Sequence, residues 1–128
     1  MSFWVPGGER AASSARRSVL SAQTGLPPEI KHRLALLLSE LVTNAIQHGG
    51  AGPDETVQVR LATTDEKIRV EVYDPGHNRP HPVRKLEQGG GWGLVLVDKL
   101  SDSWGREPTR QGATLAWFEL MLIRPVEA

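Results

Sequence analysis

Hydrophobic side chains recur along this chain with two periods, one typical of helices and one typical of strands. In the longest helical segment they lie three or four positions apart, as on one face of a helix. These residues are Leu34, Leu37, Leu38, Leu41, Val42 and Ala45. Prolines at 27–28 and glycines at 49–50 predict where this helix begins and ends, because proline suits a first helical turn and glycine a helix end. Further helices are expected at residues 9–23 and 94–104.

Alternating hydrophobic and polar residues predict the strands. The N-terminal segment SFWVPGG predicts a short strand that Pro6 ends. In residues 56–62 and 67–74, hydrophobic and polar side chains alternate, and a short polar link joins the two segments. This pattern is typical of a hairpin with one solvent-exposed face. The segment at 103–122 predicts two closing strands about a turn near residues 108–112.

The alternation also predicts which way two polar residues point. Asp74 has the same parity as Ile68, Val70 and Val72, so its carboxylate is expected on the buried side where the strand ends. A carboxylate aimed inward needs a partner. Thr114 shares its face of the last strand with apolar residues and is expected to point inward as well.

The order of the predicted elements indicates the fold class. It runs strand, two helices, hairpin, long loop, helix, hairpin. Strands with one wet face and about three helices to cover the other face predict an α+β protein, a two-layer α/β sandwich. A pocket is then expected in the space between the layers.

Composition narrows the class of protein. The length of 128 residues suits one domain, 1–128. Fifteen basic and fifteen acidic side chains give a formal net charge of zero, which argues against direct binding to nucleic acid or to an anionic membrane. There is no cysteine, which excludes disulfides and thiolate metal sites, and no apolar run long enough to span a bilayer. A cytoplasmic protein is expected.

Three polar residues lie four positions apart along the longest predicted helix: Glu40, Asn44 and His48. At about 100° per residue Asn44 falls roughly 90° from the centre of the apolar stripe, so the three follow the flank of the buried face. An asparagine oxygen suits Mg²⁺, and a carboxylate one turn away can accept a proton from a hydroxyl. Taken alone, Glu40 and Asn44 are better explained as a solvated helix face. His48 suits a helix end and is given no catalytic role.

Three other features have both an ordinary and a functional explanation. Asp74, with Pro75 and Gly76 after it, either belongs to a turn or accepts a hydrogen bond from an adenine amino group. The glycines of GGGWGL, which open the third helix, are either a flexible link or backbone N–H donors for phosphate. Thr114 is either a strand former or a hydroxyl that helps to hold a ligand. All of them can face the space between the layers, so together they favour a binding site.

In combination these segments resemble the ATP-binding domain of the GHKL superfamily, to which DNA gyrase, the Hsp90 chaperone, histidine kinases and the MutL mismatch-repair protein belong. SELVTNAIQHGG is similar to the family's N box, VYDPG to its first glycine box, GGGWGLVLVDKL to its second and GATLAWFEL to its closing strand. Within this group the chain is most similar to the single-domain anti-sigma-factor serine kinases of actinobacteria. The resemblance implies a Bergerat fold with a mostly antiparallel mixed sheet.

The resemblance implies a role for each matching residue. Glu40 is implied as the general base, and Asn44 as the ligand of a Mg²⁺ that bridges the phosphates of ATP. Asp74 is implied to bind the adenine amino group, with Thr114 supporting it through water. Gly76 is implied to let the backbone approach the base.

The same resemblance extends to the phosphate end of the site and to partners. Gly91, Gly93 and Leu94 are implied to hold phosphates on backbone N–H groups, and residues 77–90 to form a lid over ATP. Arg16 matches an arginine that similar kinases use at a partner interface.

The resemblance implies a serine/threonine kinase that uses ATP and Mg²⁺. It is expected to phosphorylate a small anti-anti-sigma (STAS-type) protein, to hold a sigma factor inactive otherwise, and to form a homodimer as similar kinases do. The alternative is a module that senses ATP and sequesters a regulatory partner without transferring phosphate.

Overall fold

The computed structural model describes residues 1–49, 56–74, 91–109 and 113–122. The elements in chain order are β1 (Ser2–Pro6), α1 (Ala11–Ala22), α2 (Pro28–Gly49), β2 (Thr56–Thr63), β3 (Lys67–Asp74), α3 (Gly91–Leu100), β4 (Ser103–Pro108) and β5 (Thr114–Met121). Each predicted helix and strand is present, but α3 is displaced from its expected bounds. It begins at Gly91 instead of residue 94 and ends at Leu100 instead of residue 104, because the chain from Ser103 onward pairs with β5 as a strand.

The described strands form one sheet in the order β1-β2-β3-β5-β4. Each of the four described pairings is antiparallel, whereas a mostly antiparallel mixed sheet was expected. The three described helices lie against this sheet, so the predicted α+β two-layer sandwich is confirmed. None of the helices in this part of the chain is long and apolar enough to span a bilayer.

The hydrophobic core lies between the sheet and α2. Alternate strand residues point into it and are at most 4% exposed: Val57, Val59, Leu61, Ile68, Val70, Val72, Phe118 and Leu120. The predicted stripe of α2 faces them and is at most 2% exposed: Leu34, Leu37, Leu38, Leu41 and Val42. Removing these side chains from water is the main term that stabilises the fold. It also fixes the rotation of α2, and with it the direction in which Glu40 and Asn44 point.

The opposite face of the sheet carries a charged network around Glu119. Arg69 Nη1 and Lys67 Nζ donate to Glu119 Oε2 at 3.1 and 3.3 Å, and Ser103 Oγ donates to Oε1 at 3.0 Å. Burial raises the pKa of the Glu119 carboxyl, but these three hydrogen bonds outweigh burial and hold the pKa below its usual value. The Arg69 guanidinium also lies 4.1 Å from the centroid of the Trp117 ring, in a cation–π contact. The network ties β3, β4 and β5 together.

The Trp117 ring leaves no room for a side chain at Gly105, its cross-strand partner. A Cβ atom at Gly105 would lie 2.5 Å from Trp117 Nε1, too close for any real contact. We expect Gly105→Ala to destabilise the protein by about 1–3 kcal/mol, the usual cost of overpacking. Denaturant unfolding measures this. Gly25→Ala is the matched control, because a Cβ there meets no atom within 4 Å. Equal stability of the two variants would show that the ring moves aside at no cost.

Candidate functional site

A pocket lies between α2 and the end of the sheet where β3 finishes and β5 begins. It is lined by Leu41, Asn44 and Ala45 of α2 and by Val72, Asp74, Trp104, Gly105, Arg106, Thr114 and Ala116 of the sheet. The volume of the pocket is about 50 Å³. A second depression beside β1, with a volume of about 340 Å³, contains none of the predicted site residues.

Asn44 forms the helix side of the pocket. The sequence placed it on the flank of the apolar stripe, and the structure buries it further, to 8% exposure. It is buried because the ends of β3 and β5 close the space opposite this turn of α2. The Asn44 side-chain nitrogen is buried and has no hydrogen-bond partner among the described residues. A buried polar group without a partner costs free energy, so this side chain is suited to a ligand that supplies one.

Asp74 and Thr114 form the sheet side of the pocket. They are register partners on β3 and β5, which places them next to each other on the face that the helices cover. Asp74 is 4% exposed, and both residues line the pocket. The inward orientation that strand parity predicted for them is therefore confirmed. A carboxylate beside a hydroxyl can accept hydrogen bonds from an amino group of a ligand.

Glu40 lies one helical turn before Asn44 on α2, about 6 Å along the helix axis. The structure leaves it partly exposed, and it is not among the residues that line the pocket. Its side chain makes no hydrogen bond to other residues in the described ranges. Glu40 therefore lies on the same side of the helix as Asn44 but outside the pocket itself. The side chain of His48 lies outside the described part of the chain.

The glycines of the third helix lie in its first turn. Gly91, Gly93 and Leu94 belong to the first four residues of α3, whose backbone N–H groups have no partner within the helix. Helix α3 packs against α2, which carries Asn44. This end of α3 can present N–H groups to an anion. Gly76 and the segment 77–90, predicted to contact the base and to form a lid, lie outside the described residues.

Three residues of β4 line the pocket, Trp104, Gly105 and Arg106, and none of them was selected from the sequence. Trp104 and Arg106 point to the helix side of the sheet, and Trp104 Nε1 donates to Asp98 Oδ1 of α3 at 2.9 Å. The alternation within SWGREP could have identified them. The helix predicted at residues 94–104 overlaps the first two residues of this segment, which hid the inward parity of β4.

Arg16 connects α1 to α2 beside Glu40. Its Nη1 donates to Ser39 Oγ at 2.7 Å, and Ser39 Oγ donates to the carbonyl oxygen of Ala35 at 2.8 Å. Arg16 was expected at a partner interface on resemblance. In the structure part of its donor capacity is used within the domain, next to the residue predicted to act as the base.

Comparison with known proteins identifies the family. The family model for the histidine kinase-like ATPase domain matches residues 6–117. A serine-protein kinase RsbW of Listeria monocytogenes serotype 4a (strain HCC23) is 28% identical over 99 residues, which are 66% of this chain and 63% of that protein. The RsbW of L. monocytogenes serovar 1/2a (strain ATCC BAA-679 / EGD-e) is 27% identical over the same length. The chain thus spans less than two thirds of the curated relatives it matches.

Two solved structures share the fold. The RsbU and RsbW domains of Rv1364c from Mycobacterium tuberculosis match with a TM-score of 0.72 at 23% identity, over 98% of this chain and 33% of that one. The SiaB–SiaC complex from Pseudomonas aeruginosa matches with a TM-score of 0.56 at 13% identity, over 94% of this chain and 89% of that one. The resemblance to the GHKL superfamily is confirmed, and the chain belongs to the histidine kinase-like ATPase domain family.

Proposed function

We propose that this chain binds ATP with Mg²⁺ and transfers phosphate to a serine or threonine of a small anti-anti-sigma (STAS-type) protein. In this proposal it also sequesters a sigma factor, acts in the cytoplasm and forms a homodimer. The observation that carries it is the meeting of Asn44, Asp74 and Thr114 around one pocket, although they are distant in sequence. The name of its relatives, serine-protein kinase RsbW, supports the same reaction.

The base of the nucleotide is proposed to bind at the sheet side. Asp74 accepts a hydrogen bond from the adenine amino group, and Thr114 supports this contact through water. Asp74 is suited to the task because it is nearly excluded from solvent, where a hydrogen bond to a charged acceptor is strong. Gly76 is proposed to leave room for the base.

The phosphates are proposed to bind between α2 and the start of α3. Bound Mg²⁺ neutralises phosphate charge, which is the main requirement of phosphoryl transfer. Asn44 is proposed to offer its buried amide oxygen to the ion. Its unpaired nitrogen is a hydrogen-bond donor, which a phosphate oxygen and not the ion would satisfy. The N–H groups of the first turn of α3, at Gly91, Gly93 and Leu94, are proposed to hold phosphate oxygens, with residues 77–90 as a lid.

Glu40 is proposed to take the proton from the acceptor hydroxyl. Its position outside the pocket, one turn from Asn44, supports a role toward the protein substrate and not toward the nucleotide. Since Arg16 is held next to it through Ser39, the acceptor protein is proposed to contact this part of α1 and α2.

A second function is favoured by the same position of Glu40. Because Glu40 does not line the pocket, the chain can bind ATP without any step that involves this carboxylate. The domain then acts as an ATP-sensing module that sequesters a regulatory partner and transfers no phosphate. The two functions differ in turnover and not in nucleotide binding.

Nucleotide binding is tested by calorimetry with and without Mg²⁺. We expect wild type to bind ATP more tightly when Mg²⁺ is present, and Asn44→Ala to lose that gain, because the amide oxygen is the proposed metal ligand. Gln58→Ala, a polar substitution on the opposite face of the sheet, serves as the control. If Asn44→Ala keeps the full Mg²⁺ effect, the metal assignment is wrong. If wild type binds no ATP, the proposed function is wrong.

A further inference from the structure

Arg106 brings a positive charge into the candidate pocket from the edge strand β4. The residue is partly buried, and burial lowers the pKa of its guanidinium from the usual value. Arginine nevertheless stays protonated at physiological pH. Its guanidinium makes no ion pair or hydrogen bond with the residues that the structure describes. The pocket therefore contains a partly desolvated cation that forms no ion pair with a described carboxylate, and an anionic ligand there would offset the cost of desolvation.

The strand register separates Arg106 from the base end of the pocket. Asp74 pairs with Thr114, whereas Arg106 pairs with Ala116, two residues further along β5. With strands about 4.8 Å apart and a rise of about 3.3 Å per residue, the Cα atoms of Asp74 and Arg106 lie about 12 Å apart. The carboxylate and the guanidinium are thus placed to contact different parts of one elongated ligand.

We infer that Arg106 binds the phosphate groups of the nucleotide that occupies this pocket. The inference rests on the proposed ATP-binding function and adds a residue of β4 to that site. A guanidinium donates paired, charge-assisted hydrogen bonds that match the geometry of phosphate oxygens. A neutral base or ribose would leave the positive charge unbalanced, so the phosphates are the part of the nucleotide that gains most from this contact.

The test compares ATP with adenosine on the full chain. Arg106→Gln keeps the length and polarity of the side chain but removes its charge, and Arg106→Lys keeps the charge. Arg60→Gln is the matched control, because Arg60 is an exposed arginine of β2 on the opposite face of the sheet. We expect Arg106→Gln to weaken ATP binding about tenfold or more and to change adenosine binding less than about twofold. Arg106→Lys should lose less ATP affinity than Arg106→Gln, and Arg60→Gln should bind both ligands as wild type does.

Three results overturn the inference. An equal loss of ATP and adenosine binding would show that Arg106 contacts the base or is needed for folding. A thermal unfolding curve of each variant distinguishes these two roles. Unchanged ATP binding in Arg106→Gln would remove Arg106 from the site, while ATP binding by wild type would still support the proposed function. If wild type binds neither ligand, the proposed function fails and the inference fails with it.

Discussion

Glu40→Gln is expected to reduce phosphate transfer to a protein acceptor about 100-fold or more and to leave ATP affinity unchanged. The physical reason is the location of Glu40. It lies on α2 one turn from Asn44 but does not line the nucleotide pocket, so its removal affects the proton on the acceptor and not the contacts of the nucleotide. Glutamine keeps the size of the side chain and cannot accept the proton as a base. The measurement is the single-turnover rate of label transfer from ATP, with ATP affinity measured in parallel.

Glu29→Gln is the matched control for this experiment. Glu29 lies on the same helix, and its ion pair with Arg33 at 2.7 Å is exposed, so its loss costs little. Transfer by the Glu29 variant should equal that of wild type. Transfer that survives in Glu40→Gln would show that this carboxylate is not the base, and weaker ATP binding in that variant would place it in the nucleotide site.

Asp74→Asn is expected to weaken ATP binding by about 1–3 kcal/mol, or roughly 5- to 150-fold. The carboxylate is 4% exposed and lines the pocket next to Thr114. Asparagine has nearly the same shape but presents one neutral acceptor and one donor, so it loses the charge-assisted bond to the adenine amino group. Equilibrium titration with ATP and with adenosine measures the effect, and both ligands should lose the same factor because both carry the base.

Asp65→Asn serves as the control for the Asp74 variant, because Asp65 is exposed in the turn between β2 and β3. It should bind ATP as wild type does. An Asp74 variant that binds ATP with wild-type affinity would disprove the adenine assignment. A loss confined to ATP, with adenosine unaffected, would move Asp74 to the phosphate end of the pocket.

Much of the site could be predicted because it depends on local periodicity. Parity along β3 was enough to point Asp74 inward, and parity along β5 did the same for Thr114. The stripe on α2 placed Asn44 at the edge of the core before any contact was known. These positions follow from the geometry of a single element and one buried face, which a sequence encodes directly.

The rest depends on which elements meet, and the pattern of one element does not contain that information. The place of Arg106 in the pocket depends on the register between β4 and β5, which sets it opposite Ala116. The contact of Arg69 with the Trp117 ring requires the register between β3 and β5, and the bond from Arg16 to Ser39 requires the packing of α1 on α2. The depth of Asn44 likewise depends on where the sheet ends opposite α2.

The measurement that tests the proposed kinase most directly is the transfer of labelled phosphate from ATP to a small STAS-type protein. With Mg²⁺ present, we predict that wild type places the label on a serine or threonine side chain of that protein. The chain must also be shown to bind both ATP and the protein under the same conditions. If it binds both and no label is transferred, the kinase assignment is contradicted and the chain is an ATP-sensing module that sequesters its partner.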